Sequence, residues 1–191
     1  MRHFYTGILA LLVLTGCRNS LPPAEYAEWI SSAENGLQAK HELPQYQLRL
    51  QFEPAAFKAL QEFTSREENV AFGSLLNQYE GLYHFSLEIE SKSQFFDDQE
   101  AALINYLENE IISDLVLYKG NDSIGPALVH LERPLGLRPY YYLLLGFSKE
   151  SAGHKEDIFL RYNGGLLGED AVFIIKKENL KNIPKLNINP G

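Results

Sequence analysis

Cysteine is almost absent from this 191-residue sequence, which contains only Cys17. Without a second cysteine the chain cannot form an intramolecular disulfide, and this excludes the small disulfide-stabilised scaffolds found among exported proteins. The apolar run from Ile8 to Leu14 is also too short to cross a bilayer, because a transmembrane helix needs roughly 20 such residues. Stability must therefore come from a packed hydrophobic core, for which a chain of this length is sufficient.

Positive charge is in the minority. The chain has 17 Lys and Arg against 25 Asp and Glu, which gives a net charge of −8 with histidine neutral. Residues 1 to 16 are interpreted below as a cleaved signal segment, and they contain Arg2. Without them the chain has 16 basic and 25 acidic residues, a net charge of −9. Such a surface repels nucleic acid and anionic lipid headgroups. We therefore expect neither nucleic-acid binding nor a basic face that adheres to membranes.

Familiar catalytic signatures are missing as well. The chain beyond residue 16 contains no Gly-x-Ser-x-Gly, Ser-x-x-Lys or His-Glu-x-x-His. Its histidines, His41, His84, His130 and His154, include no pair at helical spacing, so a zinc site would need three distant elements to converge. We expect independent surface histidines, no metal, no cofactor and no enzyme activity. A scattered Ser-His-Asp set that converges in the fold remains the alternative.

Two polar segments need a separate interpretation. Asp97-Asp98-Gln99-Glu100 lacks the alternating oxygen ligands and central glycine of a calcium loop, so it is interpreted as the start of a helix. Asn163-Gly164-Gly165 could cradle an ion through its backbone, but such residues more often satisfy turns that require positive φ. We expect the turn.

The N-terminal segment has the form of a secretory signal. A cationic start with Arg2 precedes the apolar run, and Leu14-Thr15-Gly16-Cys17 follows it. These four residues resemble the lipobox of bacterial lipoproteins, which implies cleavage after Gly16 and a lipid thioether on Cys17. An ordinary signal peptide followed by an incidental thiol is the alternative. It would end in an Ala-x-Ala-like site, and none stands near Gly16.

Residues 17 to 22 are expected to form a short tether. At about 3.3 to 3.6 Å per residue the tether reaches roughly 20 Å. Arg18 follows the cysteine. In the bacterial lipoproteins that the segment resembles, an aspartate at this position favours retention in the inner membrane. We therefore expect a lipid-anchored protein of the bacterial envelope, and we favour the periplasmic face of the outer membrane over the inner membrane.

Residues 23 to 191 are interpreted as a single globular domain. Tyr26, Trp29, Ile30 and Ala33 recur at helical spacing and predict a first helix over 23–34, with Trp29 as a core anchor. Later segments alternate with a period of two, and short gaps between them favour antiparallel pairing. Strands are predicted at 37–41, 46–53, 83–89, 114–119, 127–133, 140–147, 157–162 and 171–177, and helices at 54–63, 67–79 and from 97. The fold class expected is α+β, a mostly antiparallel sheet of about six or seven strands with helices packed on one face.

Several segments together carry a family resemblance. They are Tyr26 and Trp29 on the first helix, Glu34-Asn35-Gly36-Leu37 after it, Phe52-Glu53-Pro54 at a strand end, and Pro184-Lys185-Leu186. Their order resembles that of uncharacterised lipoproteins common in Bacteroidota, and the resemblance covers most of the mature chain. That family has no assigned activity or catalytic residue. The resemblance therefore implies an envelope location and contributes no site.

The candidate binding residues are Tyr140, Tyr141 and Tyr142, which lead into Leu143-Leu144-Leu145. A strand that is apolar on both faces should be central in its sheet and covered on both sides, with the tyrosine hydroxyls near a rim, or else exposed at a partner surface. The leading hypothesis is a non-catalytic lipoprotein that binds another envelope protein or acts as an accessory subunit. The alternative is a module that binds a small ligand or glycan.

Overall fold

A computed structural model describes residues 20–65, 71–92, 97–120, 122–132, 140–149 and 156–188. The signal segment and Cys17 lie outside the described residues. The helices are α1 (Pro23–Ser31), α2 (Ala55–Ser65), α3 (Phe72–Tyr79), α4 (Asp97–Asn109) and α5 (Lys177–Lys181). The strands are β1 (Ser20–Leu21), β2 (Gln38–Glu42), β3 (Tyr46–Glu53), β4 (Leu82–Ser91), β5 (Leu115–Lys119), β6 (Asp122–Ile124), β7 (Pro126–Glu132), β8 (Tyr140–Ser148), β9 (Ile158–Tyr162), β10 (Ala171–Ile175) and β11 (Lys185–Leu186).

The strands form two antiparallel sheets and one small parallel pair. The larger sheet has the order β2-β3-β4-β8-β7 and the smaller has the order β10-β9-β5-β6, while β1 pairs with β11. The α+β class with mostly antiparallel strands is thereby confirmed. The strands are divided between two sheets, because the chain passes from β6 to β7 through Gly125 alone and changes sheet at that residue.

One core lies between the two sheets. In β3 the residues Tyr46, Leu48, Leu50 and Phe52 are buried, as the period of two predicts. Their neighbours across β4 and β8 are buried too, and Leu160 and Phe173 of the smaller sheet belong to the same hydrophobic cluster. Helix α4 contributes Leu103, Tyr106 and Leu107 to this cluster. The buried faces of both sheets are therefore packed towards each other.

Helices α1 and α2 lie against the other face of the larger sheet. The last carbonyls of a helix have no hydrogen-bond donor within the helix. In α1 three of these carbonyls each accept a hydrogen bond from a side-chain amide. Asn35 donates to Trp29 O at 2.8 Å, Gln51 to Ile30 O at 3.1 Å and Gln38 to Ser31 O at 2.9 Å. Two of these amides come from strands, so they fix the end of α1 to the sheet.

The expectation for Trp29 needs correction. Tyr26 and Ile30 are the fully buried residues of α1, with 1% and 0% of their surface exposed, whereas Trp29 is only partly buried against the core. The helix ends at Ser31 and continues as a short 3-10 turn, Ala33–Asn35. The apolar stripe is thus centred on Tyr26 and Ile30, with the large indole at its margin.

The interval expected to be a free tether contains ordered chain. Ser20 and Leu21 form β1, which pairs with Lys185 and Leu186, and Asn187 N donates to Leu21 O at 2.8 Å. The end of the chain therefore holds residues 20 and 21 against the domain. Among the described residues, no helix combines the length and the apolar character needed to cross a membrane.

Candidate functional site

The three candidate tyrosines are placed on two faces of β8. Tyr141 is 6% exposed and points to the core side, where its hydroxyl donates to Glu100 Oε1 at 2.9 Å. Tyr140 and Tyr142 lie on the opposite face and are half-buried. Strand β8 lies between β4 and β7, as predicted for a central strand. The tyrosines therefore do not form one rim, and Tyr142 lines a cavity.

This cavity, which we call the polar cleft, lies between the larger sheet and helices α1 and α2. It has a volume of about 200 Å3. Glu53, Phe57 and Ser86 are buried at its floor, whereas Ser31 and Gln61 are exposed at its mouth. Its lining consists of Ser31, Gln38, Arg49, Gln51, Glu53, Phe57, Gln61, Ser86, Glu88 and Tyr142.

Strand register brings the charged groups of the cleft together. Arg49 in β3 stands opposite Glu88 in β4, and Arg49 Nη1 lies 3.1 Å from Glu88 Oε1. Glu53 ends β3 and is only 3% exposed, with Lys58 of α2 contributing Nζ at 3.2 Å from its Oε2. Each charge in or beside the cleft therefore has a partner of opposite sign.

Two buried atoms at the cleft nevertheless lack a hydrogen bond. They are Arg49 Nε and Glu53 Oε2. The ammonium of Lys58 is close enough to Oε2 to attract it, but the two groups are not aligned as donor and acceptor. An unsatisfied buried polar atom costs roughly 1 to 3 kcal/mol. The cleft is therefore not fully satisfied by the chain's own groups.

The hydroxyl of Tyr142 is one of the neutral donors in the cleft. It donates to Glu53 Oε1 at 3.3 Å. Burial, and next to it the nearby charge of Glu53, raise the pKa of Tyr142 far above its ordinary value. The phenol therefore stays protonated at neutral pH and can donate a hydrogen bond to a ligand or to Glu53.

His84 was expected to face solvent, and this is wrong. The residue is 7% exposed because α2 and α3 cover this part of the sheet. Its Nε2 lies 2.9 Å from the carbonyl oxygen of Tyr79, so Nε2 carries the proton and donates it. Burial lowers the pKa of His84, and Lys58 acts in the same direction. The histidine is therefore a neutral structural group, and its contacts with the described residues do not include a serine hydroxyl.

The other histidines in the described residues and the glycine loop lie apart from one another. His41 packs its ring edge-on against Phe173, His130 is exposed on β7, and His154 lies outside the described residues. No group of three or more His, Cys, Asp or Glu in the described part of the chain could hold a metal. Gly164 and Gly165 have φ of 78° and 42°, and Gly168 N donates back to Gly164 O at 3.0 Å. This geometry is that of a turn.

A second candidate surface lies on the far side of the molecule. We call it the apolar outer face, and it is the side of the smaller sheet that points away from the core. Ile174, Phe159 and Tyr118 form one row across β10, β9 and β5. In the next row Val172 and Val116 flank Arg161, which pairs with Asp170. Val172 is 47% exposed, Ile174 40% and Tyr118 36%.

Comparison with known proteins gives little further information. No protein-family model matches the chain, and no curated protein matches it. One similar solved structure is described as a novel protein of unknown function from Burkholderia pseudomallei K96243. It is 12% identical, with a TM-score of 0.43, and the match covers 85% of this chain and 91% of that one. No functional inference is drawn from a similarity of this degree.

Proposed function

We propose that the chain is a non-catalytic, lipid-anchored protein of the bacterial envelope that binds another envelope protein. The observation that carries the proposal is the apolar outer face. Its large side chains in adjacent rows leave apolar surface in contact with water, and contiguous patches of this kind mark protein interaction sites. The protein that binds this face is membrane-proximal, and its own contact surface is apolar at the centre.

The charge of the chain adds a second property of this partner. The mature chain has a net charge of −9, from 16 basic and 25 acidic residues. Complementary charge around an apolar contact accelerates association and excludes partners of like charge. The partner therefore carries basic residues around its apolar contact surface. The anchor keeps the domain beside the bilayer, since β1 leaves only residues 17 to 19 between the expected lipid and the fold.

Site-specific photo-crosslinking tests the role of the apolar outer face. A photoreactive residue at position 172 or 174 should yield an adduct with the same protein in intact cells, whereas position 28 on α1 should not. Ile174→Asp should lower the yield from position 172 at least tenfold, because the row of Ile174, Phe159 and Tyr118 contains no charged residue and burying an unpaired charge there is costly. Equal yields from position 28, or an unchanged yield with Ile174→Asp, would contradict the proposal.

Lipidation is tested at Cys17. The lipobox-like residues before it predict that Cys17→Ser abolishes acyl labelling and leaves unprocessed precursor or soluble protein. Acyl labelling and membrane fractionation measure this, with Ser20→Ala as a matched control that should leave both unchanged. If Cys17→Ser retains the same mass and the same membrane fraction, the envelope anchor is excluded.

A second candidate function is favoured by a specific observation. The polar cleft contains Tyr142, one of the candidate tyrosines, together with several convergent polar groups. Concave sites with a few placed polar groups are typical of small-ligand sites. We therefore retain ligand binding as a function beside partner binding. His84, which stands opposite Glu53 of the cleft in the strand register, bonds to a backbone carbonyl, and this supports a binding site without acid-base catalysis.

A further inference from the structure

We infer that the polar cleft binds an uncharged, polyhydroxylated ligand about the size of one monosaccharide unit. The inference rests on the second candidate function, ligand binding, and names the class of ligand. It is separate from partner binding, because the polar cleft and the apolar outer face lie on opposite sides of the shared core. Loss of one function would leave the other measurable. The arguments concern the size of the cleft, its charge balance and its hydrogen-bonding groups.

Size limits the ligand to a single small ring. The cleft has about 200 Å3, below the roughly 300 to 1,000 Å3 of sites for drug-sized ligands. Liquid water occupies about 30 Å3 per molecule, so the space corresponds to about seven waters. A ligand of about a dozen non-hydrogen atoms fills a comparable volume. An oligomeric ligand could place one unit inside and continue past Ser31 and Gln61 at the mouth.

Charge balance favours a neutral ligand. Arg49 is paired with Glu88 at 3.1 Å, and Glu53 with Lys58 at 3.2 Å. A carboxylate or phosphate on the ligand would have to compete for Arg49 and leave Glu88 without its partner. An ammonium on the ligand would have to compete for Glu88 and leave Arg49 without its partner. Because an uncompensated charge in a partly buried site is costly, the cleft discriminates against ligands of either sign.

The hydrogen-bonding groups match a ligand that both donates and accepts. Glu53 and Glu88 accept, whereas Arg49 and the protonated Tyr142 donate. The amide nitrogen of Gln51 is committed to Ile30 O at 3.1 Å and to Phe52 O at 2.8 Å, so Gln51 can offer a ligand only its oxygen. Vicinal hydroxyls satisfy such a mixture, since each hydroxyl donates once and accepts twice.

The floor of the cleft adds an apolar wall. Phe57 of α2 is 7% exposed and lines the cleft, where it can contact the C–H groups of a sugar ring. Glu53 Oε2 and Arg49 Nε have no hydrogen bond, but both atoms are shielded from solvent and do not reach a ligand directly. A ring can therefore pack on Phe57 while its hydroxyls bond to the polar groups of the lining that remain accessible.

The walls of the cleft are fixed before a ligand arrives. Gln38 and Gln51, both in its lining, hold the last carbonyls of α1. Lys58 ties α2 to the end of β3. Because these contacts set the distance between helices and sheet, binding requires little ordering, which lowers its entropic cost.

Ligand-observed NMR on the full-length protein, purified from membranes in detergent, tests the inference. The neutral probes are D-glucose and N-acetyl-D-glucosamine, and the charged counterparts are D-glucuronate and D-glucosamine. Saturation transfer should be seen for at least one neutral probe, with a dissociation constant on the order of 1 mM. Each charged counterpart should bind at least tenfold more weakly. Absence of transfer to both neutral probes, or equal binding of the charged ones, would overturn the inference.

Two variants locate binding in the cleft. Tyr142→Phe should lower the affinity about fivefold, the loss expected for one neutral hydrogen bond, whereas Tyr140→Phe on the same strand and face should leave it unchanged. Ser31→Trp fills the exposed mouth without altering a buried residue and should abolish transfer. Binding that survives Ser31→Trp, or that responds equally to both tyrosine variants, would place the ligand elsewhere and refute the inference.

Discussion

Gly165→Ala is expected to lower the free energy of unfolding by about 3 kcal/mol, from overpacking and from a methyl group at positive φ. Gly165 has φ of 42°, and a Cβ there would overlap the hydroxyl of Tyr106 and the carboxylate of Asp114. The hydroxyl of Tyr106 donates to Asp114 and lies 3.0 Å from the hydroxyl of Tyr162, which accepts from Leu167 N at 3.0 Å. The added methyl group would separate these buried partners.

Gly73→Ala is the matched control. Gly73 lies in α3, and a Cβ at this position meets nothing within 4 Å. Alanine favours a helix by up to about 1 kcal/mol over glycine, so this variant should be neutral or slightly stabilising. Thermal unfolding should show Gly165→Ala about 6 to 12 °C below the parent. Equal melting temperatures for the two variants would show that the Tyr106 network tolerates displacement.

The local pattern of the strands could be predicted from the sequence. Alternation in β3 and β4 predicted the apolar residues that are buried in the core, since side chains point to opposite faces with a period of two. It did not predict the burial of Glu53, His84 and Ser86 on the other face. The hairpin between β2 and β3 and the strands β5, β7, β8, β9 and β10 agree with the prediction, whereas β1, β6 and β11 were not predicted. Such elements depend mainly on residues close in sequence, so they can be predicted without knowledge of the fold.

The division into two sheets could not be predicted in the same way. It depends on the passage through Gly125, where β6 and β7 follow each other but pair with different neighbours. The pairing of Ser20 and Leu21 with the end of the chain is also invisible locally, because it joins residues more than 160 positions apart. Sequence periodicity contains no information on which strands meet.

The polar cleft was missed for a related reason. Alternation placed Arg49 and Glu53 on the polar face of a half-buried strand, where solvent is the ordinary neighbour. Helices α2 and α3 then cover one end of this face, where Glu53 and His84 are buried. Glu53-Pro54 at the start of α2 was the available signal, because a helix that follows a strand directly can fold back over its sheet. The sequence alone did not show on which face it would pack.

Lys58→Met should cost about 3 kcal/mol of stability, the lower part of the range for removing one partner of a buried ion pair. The change leaves Glu53, which is 3% exposed, without its cation. Glu53→Gln should cost less, about 1 kcal/mol, because Lys58 is 16% exposed and its ammonium can turn towards water. The two expected losses of stability differ because Glu53 is more deeply buried than Lys58. Urea unfolding of the two variants measures it.

The double variant Lys58→Met/Glu53→Gln decides whether the uncompensated charge causes the loss. Removing Glu53's charge should recover at least about 1 kcal/mol of the Lys58→Met loss, since the two residues are in contact and their effects do not add. Lys176→Met is the control: the side chains of Lys176 and its partner Asp157 are 56% and 25% exposed, so the loss should stay below about 1 kcal/mol. If the double variant is less stable than Lys58→Met alone, packing of the lysine stem rather than its charge stabilises the end of β3.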